Sequence, residues 1–317
     1  MADIDGSHKI ESLSEDKLSE PENKEPVEGQ HNNSLLYQTK HYNNSKSSLM
    51  NDAPKRKEIL KIEKPRPTIS VLTYNIWFDD KYIIERTTRI IQMIKQYGCD
   101  FVCLQEVRSN TYQLIKQELS KLYEIFQSFV SEELAYGSVV MCKKGVCTIV
   151  EPYYYDFPVT KMGRKLVGCE VTMKDSTLKN NIHIMTTHLE SMTDNAEVRN
   201  HQFNTIKEII KDTGNCIIAG DFNICSVKEA IESNIANSDL SDVWINMGCP
   251  NNIKYTYDNK LNANVRGRFQ SRLDRILYNF SFKHNIKSLE LIGLNNTSHE
   301  IMVPPSDHFG LIAVFQY

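Results

Sequence analysis

From residue 67 onward the chain alternates between short apolar runs and longer amphipathic stretches. Ile69-Ser70-Val71-Leu72-Thr73-Tyr74, rich in β-branched and aromatic side chains, predicts a strand. Residues 80–97 repeat at helical spacing, with Ile83, Thr87, Ile90, Ile94 and Tyr97 on one face. Asp79 or Asp80 is placed to cap its start and Gly98 to end it. A strand from Phe101 to Gln105 follows, then a helix from Asn110 to Leu122 that turns Leu114, Ile115, Leu119 and Leu122 inward. The middle of the chain predicts strands at 136–142, 146–150, 166–173 and 181–187. After a helix over 195–211 come a buried strand at Cys216–Ala219 and a short helix from residue 227. Three more strands are expected at 273–280, 286–292 and 309–316. About ten strands exceed one ordinary open sheet, so the pattern predicts an α/β domain of two packed sheets flanked by helices.

Residues 1–66 carry no such pattern. Leu, Ile, Val, Phe and Trp total only 11 there, too little apolar surface to offset chain entropy, so a disordered tail is expected and the domain is taken as 67–317. Charge is segregated within the tail, with nine acids against three bases over 1–30 and eight bases against three acids over 31–66. The cluster Pro54-Lys55-Arg56-Lys57 reads equally as a nuclear localisation signal or a solvated linker.

Composition narrows the function classes. Over 317 residues, 37 Lys and Arg face 40 Asp and Glu, a net charge of -3, which excludes a histone-like polycation and leaves room for a local basic groove. No run approaches the roughly 18–20 apolar residues of a membrane span. The start Met-Ala-Asp-Ile-Asp has no signal-peptide character, so a soluble nuclear or cytoplasmic protein is expected. The eight cysteines sit mostly in apolar runs without a Cys-x-x-Cys pair and read as reduced core residues, with a disulfide or zinc framework as the lesser alternative.

Candidate chemistry gathers where strands end. Asn75, Glu106 and His188 each close a predicted strand; Asp221 and Asn223 follow another; Asp307 and His308 precede the last. One such residue alone is most simply a strand or turn cap. Together they suggest a site on the rim of a rigid sheet. Glu106 and Asp307 are hard oxygen ligands suited to Mg²⁺, Asp221 is a candidate base for water, and the Asn and His side chains can donate to a phosphoryl group in its transition state. No Gly-x-Ser-x-Gly nucleophile and no Walker loop is present. Metal-assisted attack of water on a phosphoester is the favoured reaction class.

Nine segments carry a resemblance. Leu72-Thr73-Tyr74-Asn75, Leu104-Gln105-Glu106-Val107, Gly220-Asp221-Phe222-Asn223, Arg272-Leu273-Asp274-Arg275-Ile276 and Pro305-Ser306-Asp307-His308-Phe309-Gly310 resemble the endonuclease/exonuclease/phosphatase superfamily of Mg²⁺-dependent phosphoesterases. Phe157 to Arg164, Thr187-His188-Leu189-Glu190-Ser191 and Asp242-Val243-Trp244 resemble its narrower branch acting on 5′-tyrosyl nucleic acid, and Tyr255-Thr256-Tyr257-Asp258 completes the series. The resemblance implies a four-layer α/β/β/α sandwich. It implies hydrolysis of the bond between tyrosine and a 5′ DNA phosphate, as left by trapped type II topoisomerases, with 5′-tyrosyl RNA as a related substrate and a monomeric enzyme. By position, Glu106 would hold Mg²⁺ (or Mn²⁺) with Asp307 helping through its water shell, Asp221 would activate the water, and Asn75 and Asn223 would fix it. His308, oriented by Asp274, and His188 with Ser191 would contact the phosphate.

Lys161 and Arg164 lie in one of the narrow motifs and are expected beside the site, while Tyr257 reads evenly as a base-stacking or a packed rim aromatic. Arg266, Arg268, Arg272 and Arg275 form the densest basic stretch and are expected to track DNA phosphates, against a plainer reading as loop residues with one or two ion pairs. A phenol of pKa about 10 leaves without a strong dedicated acid, which fits such a substrate. The chain departs from the branch at Tyr74, Tyr257 and Phe309, where it usually has Trp, and at Cys225 and Thr193, where it often has Arg. The alternatives are another phosphoesterase of the superfamily, such as an abasic-site endonuclease or a phosphoinositide phosphatase, and a silent DNA-end-binding module.

Overall fold

The computed structural model describes residues 68–128, 136–174, 181–232, 235, 239–279 and 286–316. The expectations of a disordered tail and of a localisation signal at Pro54–Lys57 lie outside those residues.

Two six-stranded sheets face each other. The first comprises β1 (Thr68–Asn75), β2 (Phe101–Val107), β3 (Tyr123–Gln127), β4 (Gly137–Lys143), β13 (Ile286–Ile292) and β14 (Gly310–Gln316), in the order β13-β14-β1-β2-β4-β3. The second comprises β5 (Cys147–Asp156), β6 (Lys165–Met173), β7 (Ile182–His188), β8 (Asn215–Asp221), β9 (Ser241–Asp242) and β12 (Asp274–Tyr278), in the order β5-β6-β7-β8-β12-β9. A two-stranded ribbon joins β10 (Tyr257–Asp258) to β11 (Gln270–Ser271).

The core lies between the sheets. Ile69, Val71, Phe101 and Cys103 of the first pack with Val167, Ile184, Ile217 and Ala219 of the second, all essentially inaccessible. Burying each large side chain contributes roughly 1.5–3 kcal/mol. On the outer face of the first sheet, α1 (Ile83–Tyr97) and α2 (Ser109–Leu119) cover Leu72, Val102 and Leu104. On the outer face of the second, α3 (Ala196–Lys211) sets Phe203, Ile206 and Ile210 against Met185 and Ile218. Two further helices, α4 (Val227–Glu232) and α5 (Val243–Asn246), sit in the connections that follow β8 and β9. The result is an α/β/β/α sandwich, as the hydrophobic pattern requires.

Several local expectations are corrected. Helix α1 starts after Tyr82, which is left-handed at φ 53° with no side-chain cap. Asp79 does not cap it; its Oδ1 accepts from the Lys81 N–H in a turn before the helix. Tyr97 and Leu122 are exposed, because the apolar stripe is completed by Ile91 and Met93 in α1 and ends at Leu119 in α2. Strand β3, hidden behind the end of that helix, was not anticipated. Strand β5 runs six residues past the expected end, through Pro152, which an edge strand tolerates because its missing N–H faces no partner.

Candidate active site

The topology delivers the strand-end residues to one place. Strands β1 and β2 are parallel, with Asn75 beside Gln105, and β7 and β8 are parallel, with His188 beside Asp221. Antiparallel β12 begins at Asp274 opposite Asp221, and antiparallel β14 begins just after His308 beside the end of β1. Gly220 permits the close approach of β7 and β8. A Cβ there would lie 2.1 Å from the Thr187 carbonyl oxygen, so no larger residue fits before Asp221.

Asp221 is the hub. Its Oδ2 accepts from Asn75 Nδ2 at 3.0 Å, and its Oδ1 accepts from the Asn223 backbone N–H at 2.9 Å. His188 Nε2 stands 3.4 Å and His308 Nε2 3.8 Å from the same Oδ2. The Asn75 bond joins the two sheets directly at the rim, and Gln105 Nε2, donating to Thr186 Oγ1 at 2.9 Å, joins them just beneath.

The two histidines are held in opposite states. Burial disfavours the His308 imidazolium, but Asp274 and Asp221 outweigh burial and hold its pKa well above the ordinary value. Asp274 Oδ2 accepts from His308 Nδ1 at 2.8 Å, and Asp274 is itself fixed by its N–H donating to Thr256 Oγ1. His188 lies well below the ordinary value, because burial and then the Arg164 guanidinium both oppose its charge. Arg164 Nη1, which only donates, lies 2.9 Å from His188 Nδ1. That ring nitrogen therefore accepts, and the His188 proton sits on Nε2, facing Asp221. For Asp221, burial raises the pKa, but His308, His188, the Asn75 amide and the Asn223 N–H together bring it below the ordinary value. The hub is a carboxylate.

Glu106 faces Asp307. Burial and then the Asp307 carboxylate push the Glu106 pKa up to about 7, against donation from the Phe78 N–H to Oε2 at 2.9 Å. Asp307 is also raised, by burial. Two partly buried hard-oxygen acids that repel each other are a donor set that a divalent cation would satisfy. Asp221, Asp274 and His308 also place one ligand atom each within 4.8 Å, a candidate metal-binding cluster that supports a divalent-metal-dependent mechanism. Within that cluster Asp274 Oδ2 already bonds to His308 Nδ1 and both Asp221 oxygens accept hydrogen bonds, while Asp274 Oδ1 has no partner. Glu106 at φ 59° and Asn223 at φ 52° are left-handed, as is Trp77 at φ 61°. For Glu and Trp this backbone costs of order 1–2 kcal/mol, so packing holds both against strain beside the acids.

The substrate-side residues divide. Ser191 Oγ accepts from Arg164 Nη2 at 3.0 Å and from Asn223 Nδ2 at 3.3 Å, which ties it into the cluster. Lys161 points elsewhere, its Nζ donating to Asn195 Oδ1 at 2.6 Å. The Tyr257 ring lies 5.0 Å from that of His308 and forms a wall of the cleft, its hydroxyl pKa pushed up to about 12 by burial and then by Asp307. Arg266 and Arg268 are exposed in the loop between β10 and β11. Arg272 and Arg275 instead both reach Asp242 Oδ2, at 2.7 and 3.3 Å, so those two of the four arginines are ion-paired. Cys225 and Cys249 are exposed, and the other six cysteines are buried and free.

Some residues of the site were not singled out from sequence. Buried Arg86 donates to the carbonyls of Lys81, Ile76, Pro305, Trp77 and Asp79, clamping the loop beside Glu106 to the one carrying Asp307. Its signal was visible: it lies on the apolar face of α1 between Ile83 and Ile90. Glu190 accepts from Thr160 Oγ1, the Lys161 N–H and Gln202 Nε2, which latches the Thr160–Arg164 segment against β7. Tyr136, stacked on Phe78 at 4.7 Å and lying under the Arg164 guanidinium at 5.2 Å, adds an aromatic wall.

Residues 72–308 match the Endonuclease/Exonuclease/phosphatase family. Tyrosyl-DNA phosphodiesterase 2 of Xenopus laevis is 30% identical over 263 residues, covering 81% of this chain and 68% of the relative. The Rattus norvegicus protein of the same name is 31% identical over 252 residues, covering 77% and 66%. The chain thus spans about two thirds of the length of these curated relatives. A crystal structure of D. rerio TDP2 complexed with single strand DNA product superposes with a TM-score of 0.72 at 24% identity, over 80% of this chain and 100% of that one. A Bacteroides thetaiotaomicron mannosyl-6-phosphatase has the same fold, with a TM-score of 0.63 at 17% identity over 77% of this chain and 98% of that one. Among the described residues no helix is long and apolar enough to cross a membrane. By its matched residues and its site, the chain belongs to the endonuclease/exonuclease/phosphatase family, in the tyrosyl-DNA phosphodiesterase 2 branch.

Proposed function

We propose that this chain hydrolyses the phosphodiester between a tyrosine phenol and the 5′ phosphate of a DNA end, and so releases topoisomerase II adducts, with Mg²⁺ as cofactor. The observation that carries the mechanism is the Asp221 carboxylate, held ionised by donors from both sheets. Asp221 orients a water and takes its proton, while Asn75 and Asn223 hold that carboxylate in place. The His308 imidazolium, kept charged by Asp274, offers its Nε2 proton to a non-bridging phosphoryl oxygen. His188 offers its Nε2 proton from the second sheet, its tautomer set by Arg164. Glu106, with Asp307, would hold the Mg²⁺, which would supply Lewis-acid stabilisation of the phosphoryl charge. A phenolate of pKa about 10 departs without a dedicated acid. The same site chemistry extends to 5′-tyrosyl RNA.

The test is direct. With Mg²⁺, the purified chain should convert a 5′-phosphotyrosyl oligonucleotide to a 5′-phosphorylated product and leave abasic duplex DNA intact. Cleavage of the abasic duplex alone would replace this reading with that of an abasic-site endonuclease, and absence of any hydrolysis would favour a silent end-binding module.

A further inference from the structure

Six of the eight cysteines are buried, and four of them meet in the core between the two sheets: Cys103 of β2, Cys142 of β4, Cys147 of β5 and Cys169 of β6. The phosphodiesterase mechanism uses none of them. Cys142 and Cys169 come from opposite sheets, and their sulfurs stand 3.2 Å apart. They would have to close by only about 1.2 Å to reach the roughly 2.05 Å of a disulfide. Facing sheets accept such a bridge, as the disulfide between the two sheets of antibody domains demonstrates. Cys103 is committed differently, its thiol donating to the Met185 carbonyl at 3.8 Å.

Both sulfurs are sealed in the core, so an oxidant needs another way in. Cys147 provides it. It is the first residue of β5, an edge strand, and follows the exposed turn at Lys144 and Gly145. At 8% exposure it keeps more surface than Cys142 or Cys169, and the end of an edge strand opens locally at low cost. The Cys142 S–H donates to its sulfur, which holds Cys147 below the ordinary thiol pKa against burial and Cys142 above it. The thiolate is the reactive form, so the thiol nearest the surface is also the one prepared to react.

We propose that Cys142 and Cys169 form a reversible disulfide between the sheets when the protein meets hydrogen peroxide, with Cys147 as the thiol that takes up the oxidising equivalent. The Cys147 sulfur attacks one peroxide oxygen, the O–O bond breaks, and the departing hydroxide collects the Cys147 proton as water, leaving a sulfenic acid. Cys142 then attacks the Cys147 sulfur; the S–O bond breaks, and hydroxide leaves with the Cys142 proton as a second water. Cys169 in turn attacks Cys142, the Cys142–Cys147 bond breaks, and Cys147 departs as a thiol carrying the Cys169 proton. Two thiols are oxidised, and one peroxide is reduced to two waters. Cys169 is the end point because β4 and β6 are each held by strands on both sides, whereas Cys147 opens an edge strand and meets Cys142 at a lower effective concentration.

Non-reducing peptide mapping tests this on the whole chain. The reduced wild-type protein is treated with hydrogen peroxide at low protein concentration, its remaining thiols are blocked with N-ethylmaleimide in denaturant, and the bridges are read by mass spectrometry. A peptide linked through Cys142 and Cys169 should dominate and disappear on treatment with dithiothreitol. Cys99 and Cys216, buried on the outer faces of the two sheets, should stay as blocked thiols, and exposed Cys225 and Cys249 are read separately in the same map. A bridge across 27 residues should raise the thermal midpoint by about 5–10 °C, and reduction should reverse the rise. Cys169→Val, oxidised in the same way, should stop at a Cys142–Cys147 bridge without that rise. Cys147→Val should slow formation of the Cys142–Cys169 bridge at least about tenfold. Absence of the Cys142–Cys169 peptide from oxidised wild type would overturn the proposal. So would bridges to Cys99 or Cys216 in comparable yield, which report oxidation through unfolding, or an undiminished rate in Cys147→Val.

Discussion

At the scale of single residues, the site turns on charge states. Asp221 and His308 carry opposite charges in one buried cluster, and each keeps the other ionised. Asp221→Asn keeps the shape but removes the proton acceptor, and its amide can accept only one of the two hydrogen bonds from Asn75 and Asn223, so turnover on 5′-tyrosyl DNA should fall by about 10²–10⁴. Its thermal midpoint should stay within a few degrees of wild type, and turnover within tenfold of wild type would refute the assignment. Tyr74 provides a stability counterpart. Its hydroxyl is fully buried with no hydrogen-bond partner, pressed against Gly293, where an added Cβ would lie 2.2 Å from it, while a Cβ at Gly310 would lie 3.0 Å from the ring at Cγ. Deleting an unsatisfied buried donor should be neutral or favourable, so Tyr74→Phe is expected to gain up to about 1 kcal/mol in denaturant unfolding. A loss of 1 kcal/mol or more would mean that the hydroxyl is satisfied after all.

At the scale of elements, two devices position the site. Arg86 links α1 to the loop beside Glu106 and to the loop that carries Asp307. Arg86→Met would leave five carbonyls without their donor and should cost about 3 kcal/mol. The Mg²⁺ concentration for half-maximal activity should rise with it. Arg86→Lys should recover only part, because an ammonium cannot reproduce the planar fork. Strand β7 supplies a pH dependence. His183, bonded at Nδ1 to the Tyr153 hydroxyl at 2.8 Å, has its pKa lowered, by burial first, against Glu170. The folded state therefore binds fewer protons than the unfolded state between the two pKa values. This contribution to stability is complete above the unfolded value of about 6.5 and is lost as pH falls through the folded one. His183→Gln should flatten the decline in stability on acidification; an unchanged slope would remove His183 as its source.

Legibility from sequence also divides by element. Strands buried on both faces, β1, β2, β7 and β8, announce themselves as apolar runs, and the polar residues ending them stand out for the same reason. The exceptions have physical causes. Strand β3 merges with the helix before it, and Pro152 makes an edge strand look like a break. The clamp at Arg86 and the latch at Glu190 are charged residues that work by bonding backbone far away in the chain, which periodicity does not encode. The pairing of Asp274 with His308, across 34 residues, follows from the resemblance and not from periodicity, and the register of β12 against β8 adds that Asp274 stands opposite Asp221.

At the scale of the whole molecule, the sandwich is a means of bringing two sheet edges together, and the Asn75–Asp221 bond marks where they meet. A net charge of -3 is compatible with DNA binding because the basic residues are local. Arg266 and Arg268 are exposed, while Arg272 and Arg275 are partly neutralised by Asp242. With two or three phosphate contacts to a single strand, KM should rise only about 7- to 20-fold between 50 and 200 mM salt, and Arg266→Ala with Arg268→Ala should make that dependence shallower. A change of 10³-fold would require six or more phosphate contacts and contradict this short grip.

The central claim is that one carboxylate, held by both sheets, serves a metal-dependent cleavage of tyrosyl DNA. Turnover of a 5′-phosphotyrosyl oligonucleotide by wild type and Asp221→Asn, each with Mg²⁺ and after chelation, tests it most directly. Wild type with Mg²⁺ should release tyrosine and a 5′ phosphate, and the other three conditions should be at least about 100-fold slower. Undiminished turnover after chelation, or in Asp221→Asn, would contradict it.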